Sequence, residues 1–147
     1  LRSFSPRRIG QPELHGGRLA AQQAYEIAGL GPQDMHVAEV HDASAMGEII
    51  QAENLGLVEL GMGGPAAERG DFTIGGRIPI NPSGGLESKG HPIGATGIGQ
   101  LYELVTQLRG EAGARQVEGA RHAIQENGGG MQGVEEAAVA IHILSKS

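Results

Sequence analysis

One histidine stands out by the company it keeps. His91 lies between Gly90 and Pro92 in the run Asn81-Pro82-Ser83-Gly84-Gly85-Leu86-Glu87-Ser88-Lys89-Gly90-His91-Pro92-Ile93-Gly94-Ala95-Thr96-Gly97. Glycine lets a backbone come close to a ligand and proline removes local freedom, so a stiff turn presents the imidazole in one orientation. A helix predicted from about Ile98 adds an N-terminal field that favours negative charge, which suits a site where an oxyanion or enolate develops. The plainer reading is a turn histidine that bonds only to backbone. A second polar cluster, His41-Asp42-Ala43-Ser44, follows a short apolar stretch. Asp42 or Ser44 there can cap a helix. The chain has no cysteine, so it carries no thiol nucleophile, disulfide or thiolate metal site of its own.

The elements that must hold these residues are read from periodicity. His15 to Leu30 predicts a helix, with Leu19, Ala20, Ala24, Ile27 and Ala28 at helical spacing and Gly29, Gly31 and Pro32 as its stop. Met35 to Val40 predicts a strand. The next helix carries Met46, Ile49, Ile50 and Leu55 inward, faces Glu48 and Glu53 to water, and ends near Gly56. From Gly61 to Gly97, glycines and four of the seven prolines allow no regular helix, although Phe72 to Ile74 and Arg77 to Ile80 could pair as strands. So long an irregular stretch inside a compact domain is more often functional than idle. Ile98 to Leu108 predicts a helix with Ile98, Leu101, Val105 and Leu108 inward and Gln100, Glu103 and Gln107 outward. His122 to Glu126, a turn at Gly128 to Gly130, and a buried strand at Ala137 to Leu144 complete the pattern. Leu1 to Pro12 reads as an extended piece or the tail of a strand. Strands that alternate with helices and finish as a hairpin give an α/β domain, a mixed sheet layered with helices.

Composition removes several classes of function. The 147 residues suffice for one domain with its own core, and 39% hydrophobic with 19% charged residues fits neither disorder nor a coiled coil. A net charge of -6 and 3% aromatic residues argue against nucleic acid, which needs a basic surface or stacking platforms. No apolar run approaches a membrane span, so no membrane partner is expected and a cytoplasmic protein is the default. The six histidines show no ligand spacing, so no metal is expected. Gly94-Ala95-Thr96-Gly97-Ile98-Gly99 has the wrong spacing for a dinucleotide-binding turn.

Three landmarks in order carry a resemblance. The run from Gly90 to Gly97, with Asn81 to Gly85 before it, resembles the histidine motif of the thiolase family. His41-Asp42-Ala43-Ser44 sits where thiolases have Asn-Glu-Ala-Phe and the sterol-carrier-protein type has His-Asp-Cys-Phe. The glycines at Gly128 to Gly130 match a third motif near the C-terminus. The resemblance covers nearly the whole chain and implies the C-terminal half of a thiolase-type fold, as a single domain over 1–147. The half that bears the nucleophilic cysteine would lie in the N-terminal part of a longer protein or in a partner chain. The abrupt start at Leu1 favours the longer protein.

What the resemblance implies follows by position. His91 would donate to the thioester oxygen as an enolate forms and help activate the cysteine. His41 stands where an asparagine usually holds a water at that oxyanion, and a histidine there could donate directly. Thiolases place Cys-x-Gly at the third landmark. Read as Asn-x-Gly, Asn127 replaces the thiol and Gly129 keeps the N–H of a second oxyanion hole; read one residue earlier, Glu126 replaces it. The first reading is preferred, because the sterol-carrier type also has asparagine there. An amide does not titrate near neutral pH, so it cannot serve as a general acid or base. Ala43 replaces the other thiol of the sterol-carrier type, and Glu126 would be the substitute base. The substrate implied is coenzyme A or an acyl-CoA, with no covalently bound cofactor, and the complete enzyme would be a homo-oligomer. The activity implied is thiolytic cleavage or Claisen condensation of a 3-oxoacyl-CoA. The alternative is a thiolase-like retro-aldolase or a non-catalytic subunit.

Overall fold

The structure is a computed structural model that describes residues 15–131 and 136–147. The extended reading of Leu1 to Pro12 lies outside the described residues, as does part of the segment after Gly130. Among the described residues, three strands form one mixed sheet in the order β1-β2-β3, with β1 at Val37–Glu39, β2 at His122–Gly129 and β3 at Ala138–Ser145. β1 runs parallel to β2, pairing Ala38 with Ile124, and β3 runs antiparallel, pairing Glu126 with Ile141. Among the described residues, no helix is long and apolar enough to cross a membrane.

Helices cover both faces of this sheet. α1 (Gly16–Ala28) and α2 (Ala45–Asn54) pack on one side, where Ala21, Tyr25, Ala52 and Leu55 meet Ala38, Val40 and Ile124. α5 (Thr96–Arg109) packs on the other, where Leu104 and Leu108 meet Val37 and Ala123. Neighbouring strand residues point to opposite faces, so β1 is buried on both sides, as a parallel strand between helix layers should be. The expected caps form. Ser44 accepts from Gly47 N–H at the start of α2, and Gly29 closes α1 with φ 65°, a left-handed backbone that glycine adopts without penalty.

Several expectations are corrected, and the largest concerns α5. Its inward residues are Thr96, Gln100, Glu103, Leu104, Gln107 and Leu108, while Ile98 is 68% exposed. The helical period is as read, but the face is rotated. The polar side chains win the interior because each finds partners there: Gln107 donates to Glu103 and to Arg115 O and accepts from Val117 N–H. A buried amide so satisfied costs little, whereas one left alone would cost about 1–3 kcal/mol. In α1 the buried face is Gly17, Ala21 and Tyr25, and Ile27 is exposed. In α2, Met46 and Ile50 are exposed, and Glu53, expected in water, accepts from Gly63 N–H.

The stretch expected to be irregular holds two short helices, α3 (Gly63–Glu68) and α4 (Gly85–Lys89). Phe72 to Ile74 and Arg77 to Ile80 form no ladder, although Ile78 N–H reaches Asp71 O and Ile80 N–H reaches Phe72 O. Ile80 instead bridges Ala38 in parallel, alongside β1. β3 is half-exposed rather than buried, because alternate residues face away from the helix layer. The turn expected at Gly128 begins later, since Gly128 and Gly129 still pair with Val139 and Ala138.

Candidate active site

His41 and His91, fifty residues apart in sequence, meet at the end of β1. Their Nε2 atoms are 3.3 Å apart, with ring centroids at 4.9 Å and planes inclined by 53°. His91 is exposed and His41 half-buried, so both rings line an open surface. Burial lowers the His41 pKa below the ordinary histidine value, and the neighbouring His91 adds to the effect. His41 therefore favours its neutral form near pH 7.

Each ring is held by the loop behind it. Gly90 has φ 82° and donates its N–H to Leu86 O, which ends α4 and turns the chain into His91. Pro92 O then accepts from Ala95 N–H and Thr96 N–H, so the histidine turn is stitched to the start of α5. His91 Nδ1 lies 2.7 Å from Thr96 Oγ1. On the other side, His41 N–H donates to Glu126 Oε2 at 2.9 Å.

Two buried carboxylates tie the loops of the two histidines together. Asp42 Oδ1 accepts from Leu86 N–H at 2.7 Å, and Glu39 accepts from Ser83 N–H at 3.1 Å and Ser83 Oγ at 2.8 Å. Lys89 donates to the same Ser83 hydroxyl. Only glycine fits at position 85, because a Cβ there would sit 1.9 Å from Asp42 Oδ2 on a backbone with φ 61°. Asn81, with φ 51°, accepts from Val40 N–H and donates to Glu48 Oε2, tying the loop to β1 and α2. Burial pushes the Glu39 carboxyl up to about 7, against the hydrogen bonds from Ser83.

The third landmark reaches the histidine pair through Glu126, the neighbour of Asn127, which holds the His41 backbone. Asn127 packs against Gly97, one residue past Thr96, and its Nδ2 donates to Gln100 Oε1 at 3.0 Å. Gln100 Nε2 in turn donates to Glu126 O, a backbone carbonyl that can only accept. Gln100 must therefore present Oε1 to Asn127, which fixes the amide of Asn127 with its nitrogen inward. Gly129 lies at the exposed end of β2, paired with Ala138. Glu126 is fully buried behind the His41 backbone, and among the described residues its Oε1 finds no hydrogen-bond partner. Burial pushes its carboxyl up to about 8. It supports His41 from within and has no exposed surface from which to meet a substrate.

Thr96, Gln100, Asp42 and Glu39 thus belong to the site, though their chemistry was not visible in the sequence. The signal for Asp42 was its position beside His41 and for Thr96 its place in the histidine motif; for Gln100, helical spacing pointed to a different face.

Known proteins resemble this chain in sequence and in fold. A family model described as "Thiolase C-terminal domain-like" matches residues 8–145. Sterol carrier protein 2 of Rattus norvegicus is 56% identical over 108 residues, 74% of this chain and 20% of the relative. The acetyl-CoA acetyltransferase of Methanothermobacter thermautotrophicus is 51% identical over 127 residues, 86% of this chain and 32% of the relative. Among solved structures, the Ltp2-ChsH2(DUF35) aldolase superposes with a TM-score of 0.71 at 26% identity, covering 88% of this chain and 32% of that one. The chain spans between a fifth and a third of the length of these proteins.

Proposed function

Because the chain belongs to the thiolase family as a C-terminal domain, we propose that it forms the oxyanion side of an enzyme acting on CoA thioesters. The observation that carries this reading is the convergence of His41 and His91, with Nε2 atoms 3.3 Å apart at an open surface. A thioester oxygen lying along that edge is within reach of both rings. When the C2–C3 bond of a 3-oxoacyl-CoA breaks, its electron pair moves toward the thioester oxygen as an enolate. N–H donors aimed there stabilise that charge more than they stabilise the starting carbonyl.

The thiol that attacks C3 is supplied outside this chain, which contains no cysteine. Asn127 and Gly129 border the same site in this reading, with Gly129 N–H as a further donor. The complete enzyme takes coenzyme A and acyl-CoA as substrates and needs the nucleophile-bearing half. The isolated chain should give no thiolysis of acetoacetyl-CoA, measured by loss of the substrate in the presence of CoA. Turnover by the isolated chain would overturn the division of labour.

A second reading is a retro-aldol cleavage of a hydroxyacyl-CoA, which uses the same enolate and the same histidine pair but no thiol. It is favoured by Ala43, which stands where the resemblance puts a thiol in the sterol-carrier type, by Asn127, which stands where it puts one in other thiolases, and by the likeness to a solved aldolase. The two differ in a product assay on the complete protein: thiolysis consumes CoA, whereas retro-aldol cleavage releases a free carbonyl compound and consumes none.

A further inference from the structure

We propose that Glu136 is a positioning residue of the site, a carboxylate that clamps the end of β2 to α2 and brings a negative charge to bear on His41. The inference deepens the reading of the site given above and rests on it only for its catalytic consequence. Alternate residues of a strand share a face, so Ile124, Glu126 and Gly128 of β2 lie on the side where Ile124 meets Ala52 and Leu55 of α2. Glu136, just ahead of β3, fills that face at its end. A Cβ at position 128 would sit 2.4 Å from Glu136 Cγ and 2.8 Å from its Oε1, so the side chain occupies the space that a glycine leaves open. The same Oε1 accepts from Gln51 Nε2 at 2.7 Å, and Gln51, 3% exposed, accepts in turn from Asn54 Nδ2. One carboxylate therefore joins the third landmark to α2.

Two residues back on the same face, Glu126 accepts from His41 N–H, so the strand end that Glu136 clamps is the one that holds His41. The ionisable groups around His41 are His91 across the open surface, Glu126 beneath its backbone, Asp42 beside it, and Glu136. Glu48 of α2 is turned to Asn81. Among the carboxylates, Glu126 is fully buried and holds its proton, and Asp42 is 4% exposed and committed to Leu86 N–H. Glu136 is half-buried. Its charge acts on His41 in the direction opposite to burial and to His91, and more strongly than that of Asp42.

Glu136 thus favours the protonated ring that burial and His91 disfavour. As negative charge builds on a thioester oxygen at the Nε2 edge, the donating ring gains positive character, and a carboxylate within electrostatic reach stabilises it without touching the substrate.

The test is the titration of His41 in the complete protein, followed by NMR of 13C-labelled histidine, with the His41 signal assigned by its loss in His41→Asn. Glu136→Gln keeps an oxygen for Gln51 and nearly the same shape but removes the charge. The His41 midpoint should move down in this variant, with the fold unchanged by circular dichroism; a purely structural role would leave the midpoint where it is. Gly128→Ala should move it in the same direction, because the added methyl displaces Glu136. An unchanged or raised midpoint in Glu136→Gln would overturn the inference whatever the alanine variant does. A folded alanine variant with the wild-type midpoint would overturn the clamp. Either failure would leave the thioester reading standing, since that is tested by ligand contact and turnover.

Discussion

Replacing His91 with alanine should lower the turnover of the complete enzyme on its CoA thioester by about a hundredfold or more, the usual loss when one oxyanion donor is removed. The side chain is exposed and packs against no core cluster, so the fold should survive. Its structural ties are the contacts to His41 and Thr96. The loss should fall mainly on kcat, because an interaction that strengthens at the transition state contributes little to substrate binding. Steady-state kinetics on the purified variant, with circular dichroism to confirm the fold, would measure it. Unchanged turnover would return His91 to the status of a turn residue.

The second large effect concerns stability and pH. Glu126 has its carboxyl pushed up to about 8 and Glu39 to about 7, both chiefly by burial, against an ordinary value of 4.5. A group that binds its proton more tightly when folded contributes stability that is fully present below the unfolded pKa. That contribution is lost as pH rises through the folded pKa. Here the window runs from 4.5 up to about 8, so stability should fall as pH rises across it. The fall in melting temperature between pH 5 and pH 8 should be about 10 °C. Glu126→Gln keeps an oxygen for His41 N–H but carries no titrating proton. It should remove roughly half of that fall, as judged by the slope with pH. Equal slopes in wild type and variant, followed by thermal denaturation at a series of pH values, would show that Glu126 is not held neutral by burial.

Much of this architecture was readable in the residues, for reasons that also explain what was missed. Local chemistry survived well: Ser44 capped its helix, Gly29 ended one, and Gly90 and Pro92 bounded the histidine turn. These depend on neighbours a few positions away. The two histidines were singled out by their motifs, but only the fold brought His41 within reach of His91. Helical faces were less legible. α5 carries an apolar stripe and a polar stripe of the same period, and periodicity alone favours burying the apolar one. The choice was decided by partners distant in sequence, such as Glu126 O for Gln100 and Arg115 O for Gln107. Glu126 shows the same limit. As a sequence position it invites the role of a base, yet its complete burial and its bond to the His41 backbone make it a support for the site.

The central claim is that both imidazoles address one thioester oxygen. The most direct measurement is a crystal structure of the complete enzyme with a stable acyl-CoA analogue whose carbonyl is intact. The account predicts that oxygen within about 3 Å of Nε2 of both His41 and His91, the reach of a hydrogen bond. A carbonyl bound elsewhere, or rings that remain paired with each other while the ligand is seated, would contradict it.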